Sequence, residues 1–248
     1  MINMDDYSFF REQKEMFIPK TPVAALKAYE TDFVPISVFI NKSNSTKPLD
    51  EEPYDIEEIE RLLSRENLGL QTNIILVGIF EKLIFSEDQE IALFAAESIN
   101  IIENRYNKQI QDLKDDLEEK EDIDKYSELG TLYFELAILN RKRESIKNFY
   151  MRESYTAYNE VKKRRKMTDE ELNQVIRILL ELRKNQVASD LLDREHETRD
   201  VFYLKHKAEI EFSKKEFVKV KAICFELLDF IDELKESEYT MITYWMGA

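Results

Sequence analysis

The sequence predicts an all-α chain whose antiparallel helix pairs stack as an α-solenoid behind an irregular N-terminal lead-in. Three observations carry this expectation. Glycines number 4 and prolines 5 in 248 residues, and no proline follows Pro53. A many-stranded fold needs many turns, and turns draw on Gly, Pro, Asn and Asp. Next, Ser86 to Gln89, Thr168 to Glu171 and Ser213 to Glu216 each set a hydroxyl three residues before a Glu or Gln, the capping-box pattern of a helix start. Finally, Leu172, Ile176, Ala188 and Leu192 recur as Leu204, Ala208, Val220 and Cys224, each 32 residues on. A fixed period of this size is the mark of a repeat architecture.

In chain order, residues 1–54 stand apart, with Pro19, Pro22, Pro35 and Pro48 and the polar run Asn41 to Thr46. Thr21-Pro22 predicts a short helix to about Tyr29, with Pro at its first position. Phe33 to Ile40 reads as a short strand or an extended segment, confined to an edge by Pro35. A loop is expected at 41–53. The acids Asp50, Glu51, Glu52, Asp55, Glu57, Glu58 and Glu60 read as a solvated loop and helix start, or as a site for a cation or a basic partner. Ile56, Ile59, Leu62 and Leu63 then mark one helix. After Gly69, Ile74 to Ile84 is apolar nearly all round, which predicts a buried helix. From Ser86 a stripe of Ile91, Ala95, Ser98, Ile102, Tyr106, Ile110, Leu113 and Leu117 predicts a helix of about 30 residues, roughly 45 Å long. The acidic run Asp115 to Asp124 is expected to turn. Tyr126, Leu129, Tyr133 and Leu136 stripe the next helix, and Ile146, Tyr150, Ser154, Ala157 and Val161 the one after.

The repeat carries a family resemblance. Tyr126-x-x-Leu129-Gly130-x-x-Tyr133 and the 32-residue pattern resemble tetratricopeptide repeats over about residues 121–235. The apolar set of the helix after Tyr126 falls about eight residues late, which implies lengthened helices there. Ala92-Leu93-Phe94-Ala95-Ala96-Glu97-Ser98 is similar to the second helix of a HEAT repeat. These likenesses divide the chain into a lead-in at 1–54, HEAT-like helices at 55–118 and tetratricopeptide-like pairs at 119–248. The same segment, with Ile102-Glu103-Asn104-Arg105-Tyr106 and Asn148-Phe149-Tyr150-Met151-Arg152-Glu153-Ser154, resembles the soluble helical domain of PelE-type exopolysaccharide-assembly proteins. That resemblance implies an adaptor in a bacterial exopolysaccharide or cell-envelope assembly. Such proteins carry membrane-spanning segments ahead of the domain, and none is read in this chain.

Composition bounds the function. The formal net charge of −15 argues against nonspecific binding to nucleic acid or to an anionic membrane. The longest apolar run, Ile74 to Phe80, has 7 residues, against the 20 or so of a membrane helix. No signal peptide is read at the N-terminus. One cysteine, Cys224, excludes an internal disulfide and falls at a packing position of the repeat. A cytoplasmic location is expected. The four glycines do not cluster, so no phosphate-binding loop is expected. His196 and His206 lack the converging partners of a metal site and read as ordinary surface histidines. No cofactor, metal or catalytic constellation is expected, and the chain reads as a non-enzyme. Its protein partner is expected as a peptide or helix in the solenoid groove, against first-helix residues that point away from the inter-helix core. The rivals are a structural homodimer and an enzyme with a scattered carboxylate site.

One stretch runs against the composition. Residues 141–166 carry ten cations against Glu144, Glu153 and Glu160. Arg141, Lys142, Arg143, Lys162, Lys163, Arg164, Arg165 and Lys166 are the candidate partner-binding residues, steering an acidic surface. The bland alternative is a cation cluster at a helix C-terminus, where the dipole favours it. Tyr150 and Tyr158 fall on the apolar stripe and are expected in the core.

Overall fold

The computed structural model describes residues 54–65 and 68–246. The expectations for the lead-in therefore lie outside the described residues, apart from Tyr54. Among the described residues there are ten α-helices, one 3-10 turn and no strand. They are α1 (Ile56–Leu63), α2 (Leu70–Leu83), α3 (Gln89–Glu119), α4 (Ile123–Leu139), α5 (Glu144–Arg164), α6 (Asp169–Glu181), α7 (Asn185–Glu195), α8 (Val201–Ser213), α9 (Phe217–Leu227) and α10 (Glu236–Met246), with the 3-10 turn Leu228–Glu233 before α10. None is long and apolar enough to cross a membrane. The chain divides into two compact units, one ending at Ile102 and one resuming at Glu103, so the division falls inside α3.

In the first unit, the Asp55 carboxylate accepts the Glu58 amide at 3.1 Å and starts α1, whose Ile59 and Leu63 are buried. On α2 the buried side chains are Asn73, Leu76, Val77, Ile79 and Phe80. Phe80 meets Phe94 of α3 edge to face, with ring centroids 5.7 Å apart.

The long helix is 31 residues, and six of its eight predicted stripe residues are buried, Ile91 and Leu117 being half-buried. Ala95, Ser98, Ile102, Tyr106, Ile110 and Leu113 are all at most 9 % exposed. Two local expectations change. Asp88, not Ser86, caps this helix, accepting the Glu90 amide at 2.8 Å, because Asp88 sits nearer the first turn and Ser86 already accepts the Asp88 amide. The acidic run does not turn at Asp115. The helix continues to Glu119, since its acids lie on the wet side of a stripe still anchored by Leu113.

The second unit is a succession of helix pairs. α4 packs on α5, α6 on α7 and α8 on α9, and each pair packs on the next through α5–α6, α7–α8 and α9–α10. The first helices also meet directly, α4 with α6 and α6 with α8. The repeat period governs the last two complete pairs. α6 and α8 each have 13 residues, and α7 and α9 each have 11. All eight repeat positions are at most 2 % exposed: Leu172, Ile176, Ala188, Leu192, Leu204, Ala208, Val220 and Cys224. Burying each large aliphatic side chain among them contributes about 1.5–3 kcal/mol, so a charge at Leu192 would break its pair.

The caps recur too. Thr168 forms a complete capping box with Glu171, and Asp200, one repeat period later, accepts the Tyr203 amide at 3.0 Å. Between the helices of each pair stands a left-handed residue, Arg183 at φ 57° and Lys215 at φ 64°. Each lets the next amide reach back across the helix end, Lys184 to the Leu179 carbonyl at 2.7 Å and Glu216 to the Glu211 carbonyl at 2.9 Å. That is a Schellman-type stop. It also corrects the third capping box: Ser213 ends α8 instead of starting α9, and Glu216 caps without a side-chain bond.

The preceding pair is longer, with 17 residues in α4 and 21 in α5. Its close approach is set by Gly130, where an added Cβ would lie 2.9 Å from the Tyr158 ring. Ser154 uses that proximity to donate to the Gly130 carbonyl at 2.6 Å. Tyr158 is 1 % exposed, as its place on the stripe predicts.

Candidate functional site

The basic stretch is not one patch. Arg141 to Arg143 precede α5, and Lys162 to Lys166 end it or follow it. The 21 residues of α5 separate the two groups by roughly 30 Å. Five of the ten cations form ion pairs within the fold among the described residues. Arg143 pairs with Glu103. Lys147 pairs with Glu181 at 2.9 Å, almost out of solvent, and ties α5 to the end of α6. Lys163 and Arg164 hold Glu160, and Arg164 also reaches Glu121 and lies over the Tyr126 ring at 5.3 Å. These contacts hold the Glu160 carboxyl below its usual range, the Lys163 bond first. Arg165 grips Glu171 through two bonds of 2.7 Å. Arg141, Lys142, Lys163 and Lys166 are exposed.

Lys162 differs from its neighbours. It is half-buried, and among the described residues no carboxylate lies within ion-pair distance of it. Its side chain lines a shallow surface groove between α5 and α7. The α5 wall is Tyr155, Asn159 and Lys162, the α7 wall is Val187, Leu191 and Arg194, and the floor is Tyr158, Met167 and Val175. The two walls are one pattern used twice. Tyr155 and Val187, Asn159 and Leu191, and Lys162 and Arg194 are each one repeat period apart. Successive second helices thus bring equivalent positions face to face, and both cations come to the same end.

The electrostatics follow from that alignment. Burial lowers the Lys162 pKa, and Arg194 lowers it further, against a smaller opposing pull from Glu195. Arg194 contacts Glu195 at 3.4 Å, but its side chain is 60 % exposed, so that pair is weak. At the other end Lys184 lies over the Tyr155 ring, 5.4 Å from its centroid. Two cations, Lys162 and Arg194, line the groove, and Lys184 stands beside its Tyr155 wall. Of these only Lys162 was legible as a candidate. Arg194 and Lys184 lie outside the basic run, and adding the repeat period to Lys162 finds Arg194. The groove also lies between second helices, whereas the sequence pointed to the first.

The histidines need correction as surface residues. His206 is 8 % exposed, with its Nδ1–H donating to the Phe202 carbonyl at 2.8 Å and its Nε2 3.0 Å from the Asn173 amide. Burial, followed by repulsion from Arg177, Lys205 and His196, lowers its pKa to about 4 against the raising effect of the Phe202 bond. His196 is half-buried, lies 2.9 Å from the Asp200 carboxylate and stacks on Phe202, which in turn stacks on His206. Phe202 and Asn173 bury these rings through packing that spacing alone does not reveal. Burial raises the Cys224 thiol to about 11, so it is a packing group and a poor nucleophile. Among the described residues no three His, Cys, Asp or Glu side chains gather to hold a metal ion.

No family model, curated protein or solved structure matches the chain.

Proposed function

We propose that the chain is a cytoplasmic, non-enzymatic α-solenoid scaffold that holds a protein partner, with tetratricopeptide-like pairs in its C-terminal part and HEAT-like helices before them. The observation that supports it most is the recurrence, at a single repeat period, of helix bounds, buried positions and left-handed stops in α6–α7 and α8–α9. Each pair leaves one side for the next, and such stacking presents long surfaces suited to polypeptide ligands. Affinity capture with the full chain as bait, followed by reconstitution from purified components, tests the reading. A partner that rebinds in purified form at fixed stoichiometry supports it, and a chain that retains nothing on reconstitution counts against it. The exopolysaccharide or envelope setting rests on the PelE-type resemblance alone. Genes for polysaccharide synthesis beside this one would favour it.

A second reading, a structural homodimer, is favoured by exposed apolar side chains on the last helices. Val218 is 85 % exposed and Tyr244 64 %. Light scattering across a concentration series separates the two readings, since an obligate dimer keeps its mass on dilution.

A further inference from the structure

We infer that the outer face of α9 binds the same face of a second copy of this chain, the two helices lying antiparallel about a two-fold axis. This deepens the homodimer reading and rests on it.

The face follows from the helical period. Val220, Ile223, Cys224 and Leu227 point α9 inward and are buried. Val218, Ala222 and Phe225, spaced by four and then three residues, share the opposite side. Val218 is 85 % exposed and Phe225 51 %, and Ala222 between them is exposed as well. Beside Val218, Phe217 stacks on Trp245 of α10 with ring centroids 5.8 Å apart. Trp245 in turn meets the exposed Tyr244 edge to face. The apolar surface thus continues from α9 onto α10, and contiguous apolar surface of this kind marks a contact with another molecule.

Charge decides the occupant. The start of α9 is cationic. Lys215 and Lys221 are exposed and make no ion pair among the described residues, and Lys219 is 61 % exposed with carboxylates no nearer than 3.6 Å. The far end is anionic, where Asp229, Asp232 and Glu233 are exposed and equally unpaired. A face that is apolar in the middle and opposite in charge at its ends complements itself when reversed, as a two-fold contact demands. An axis between Lys221 and Ala222 sets Val218 level with Phe225 of the second copy. It also brings Lys215 within one residue's rise, about 1.5 Å, of the level of Asp229 of the second copy. The small Ala222 lies at the crossing and allows close approach. The two Lys221 side chains reach the same level, and both extend into solvent. A uniformly acidic or uniformly basic partner would instead be attracted at one end and repelled at the other.

The test is sedimentation velocity of the purified full chain across a concentration series. The parent is expected to form a dimer. Val218→Glu and Phe225→Glu change exposed positions, circular dichroism verifies that each variant is folded, and each should weaken self-association about tenfold or more. Lys215→Glu and Asp229→Lys place like charges opposite one another in their own dimers, so each alone should weaken association. Mixed in equal amounts they should restore it, because the mixed dimer has an opposite-charge pair at both ends. A mixture no more associated than either variant alone would overturn the antiparallel contact. A parent dimer that persists in both folded apolar-face variants would overturn the inference and leave the homodimer reading standing on another surface. A parent that stays monomeric at every concentration would remove both and give the face to a different occupant.

Discussion

Gly130 of α4 lies directly beneath the Tyr158 ring of α5, so that a Cβ at position 130 would come within 2.9 Å of two ring carbons. The ring cannot easily withdraw, because its hydroxyl donates to Gln174 at 2.5 Å and lies 2.9 Å from Thr131. Helix propensity alone would make alanine the better residue by about 1 kcal/mol. Overpacking a rigid contact costs about 1–3 kcal/mol and should win. Gly130→Ala is therefore expected to lower stability in urea unfolding by on the order of 1–2 kcal/mol. Tyr158→Leu should remove most of that penalty in a double-mutant cycle. A Gly130→Ala variant more stable than the parent would show that the helices slide apart at no cost.

The buried His206 predicts a pH dependence. Its pKa is about 4 in the folded chain and about 6.5 when unfolded. Between these values the unfolded state binds a proton that the folded state refuses, so stability is complete above pH 6.5 or so and falls as the pH drops toward 4. The full loss is on the order of 3 kcal/mol. His206→Gln should flatten this part of the stability profile measured by denaturant midpoints from neutral to acid pH. A profile with the same slope in parent and variant would assign the loss to other groups.

The fold was legible where it is periodic, and the site was not, because it depends on which helices become neighbours. Leu172 to Cys224 could be read because each buried position recurs at one spacing. Thr168-x-x-Glu171 could be read because hydroxyl and carboxylate both act within one turn. The same four-residue pattern at Ser213 misled, since the left-handed turn at Lys215 stops α8 first and no side-chain pattern marks it. The groove needs α5 beside α7, so Lys162 was visible only as one of ten cations in its stretch, and Arg194 became its neighbour through folding.

Glu171 predicts the largest single-charge effect in the second unit. It accepts the Thr168 amide at 2.8 Å, two bonds from Arg165 and the Ser127 hydroxyl of α4. Burial pushes its carboxyl upward, but the bonds from Arg165, Ser127 and Thr168 outweigh it and hold the pKa below normal. Glu171→Gln keeps the shape while weakening charge-assisted bonds at a buried junction, at an expected cost of about 2 kcal/mol. Because the folded pKa is depressed, the ionised group's contribution is complete above its unfolded pKa and lost as the pH falls through the folded one. The cost of Glu171→Gln should therefore shrink in strong acid. A cost constant down to that range would mean that shape, not charge, fixes the junction.

The two left-handed stops give a prediction tied to the repeat itself. Arg183 and Lys215 hold φ values of 57° and 64°, where a Cβ crowds the following carbonyl by about 1–2 kcal/mol and glycine does not. Their side chains are exposed, so replacing them removes little packing. Arg183→Gly and Lys215→Gly should each raise stability by about 0.5–1 kcal/mol, the backbone relief being partly offset by the entropy glycine gains when unfolded. The stops serve different helix pairs, so the gains should add in the double variant. Arg183→Pro and Lys215→Pro cannot adopt a positive φ, because the proline ring locks that angle on the negative side, and should each destabilise strongly. The outcome that would sink this account is a glycine gain at one stop and a loss at the other, since two turns in the same register of one repeat must respond alike.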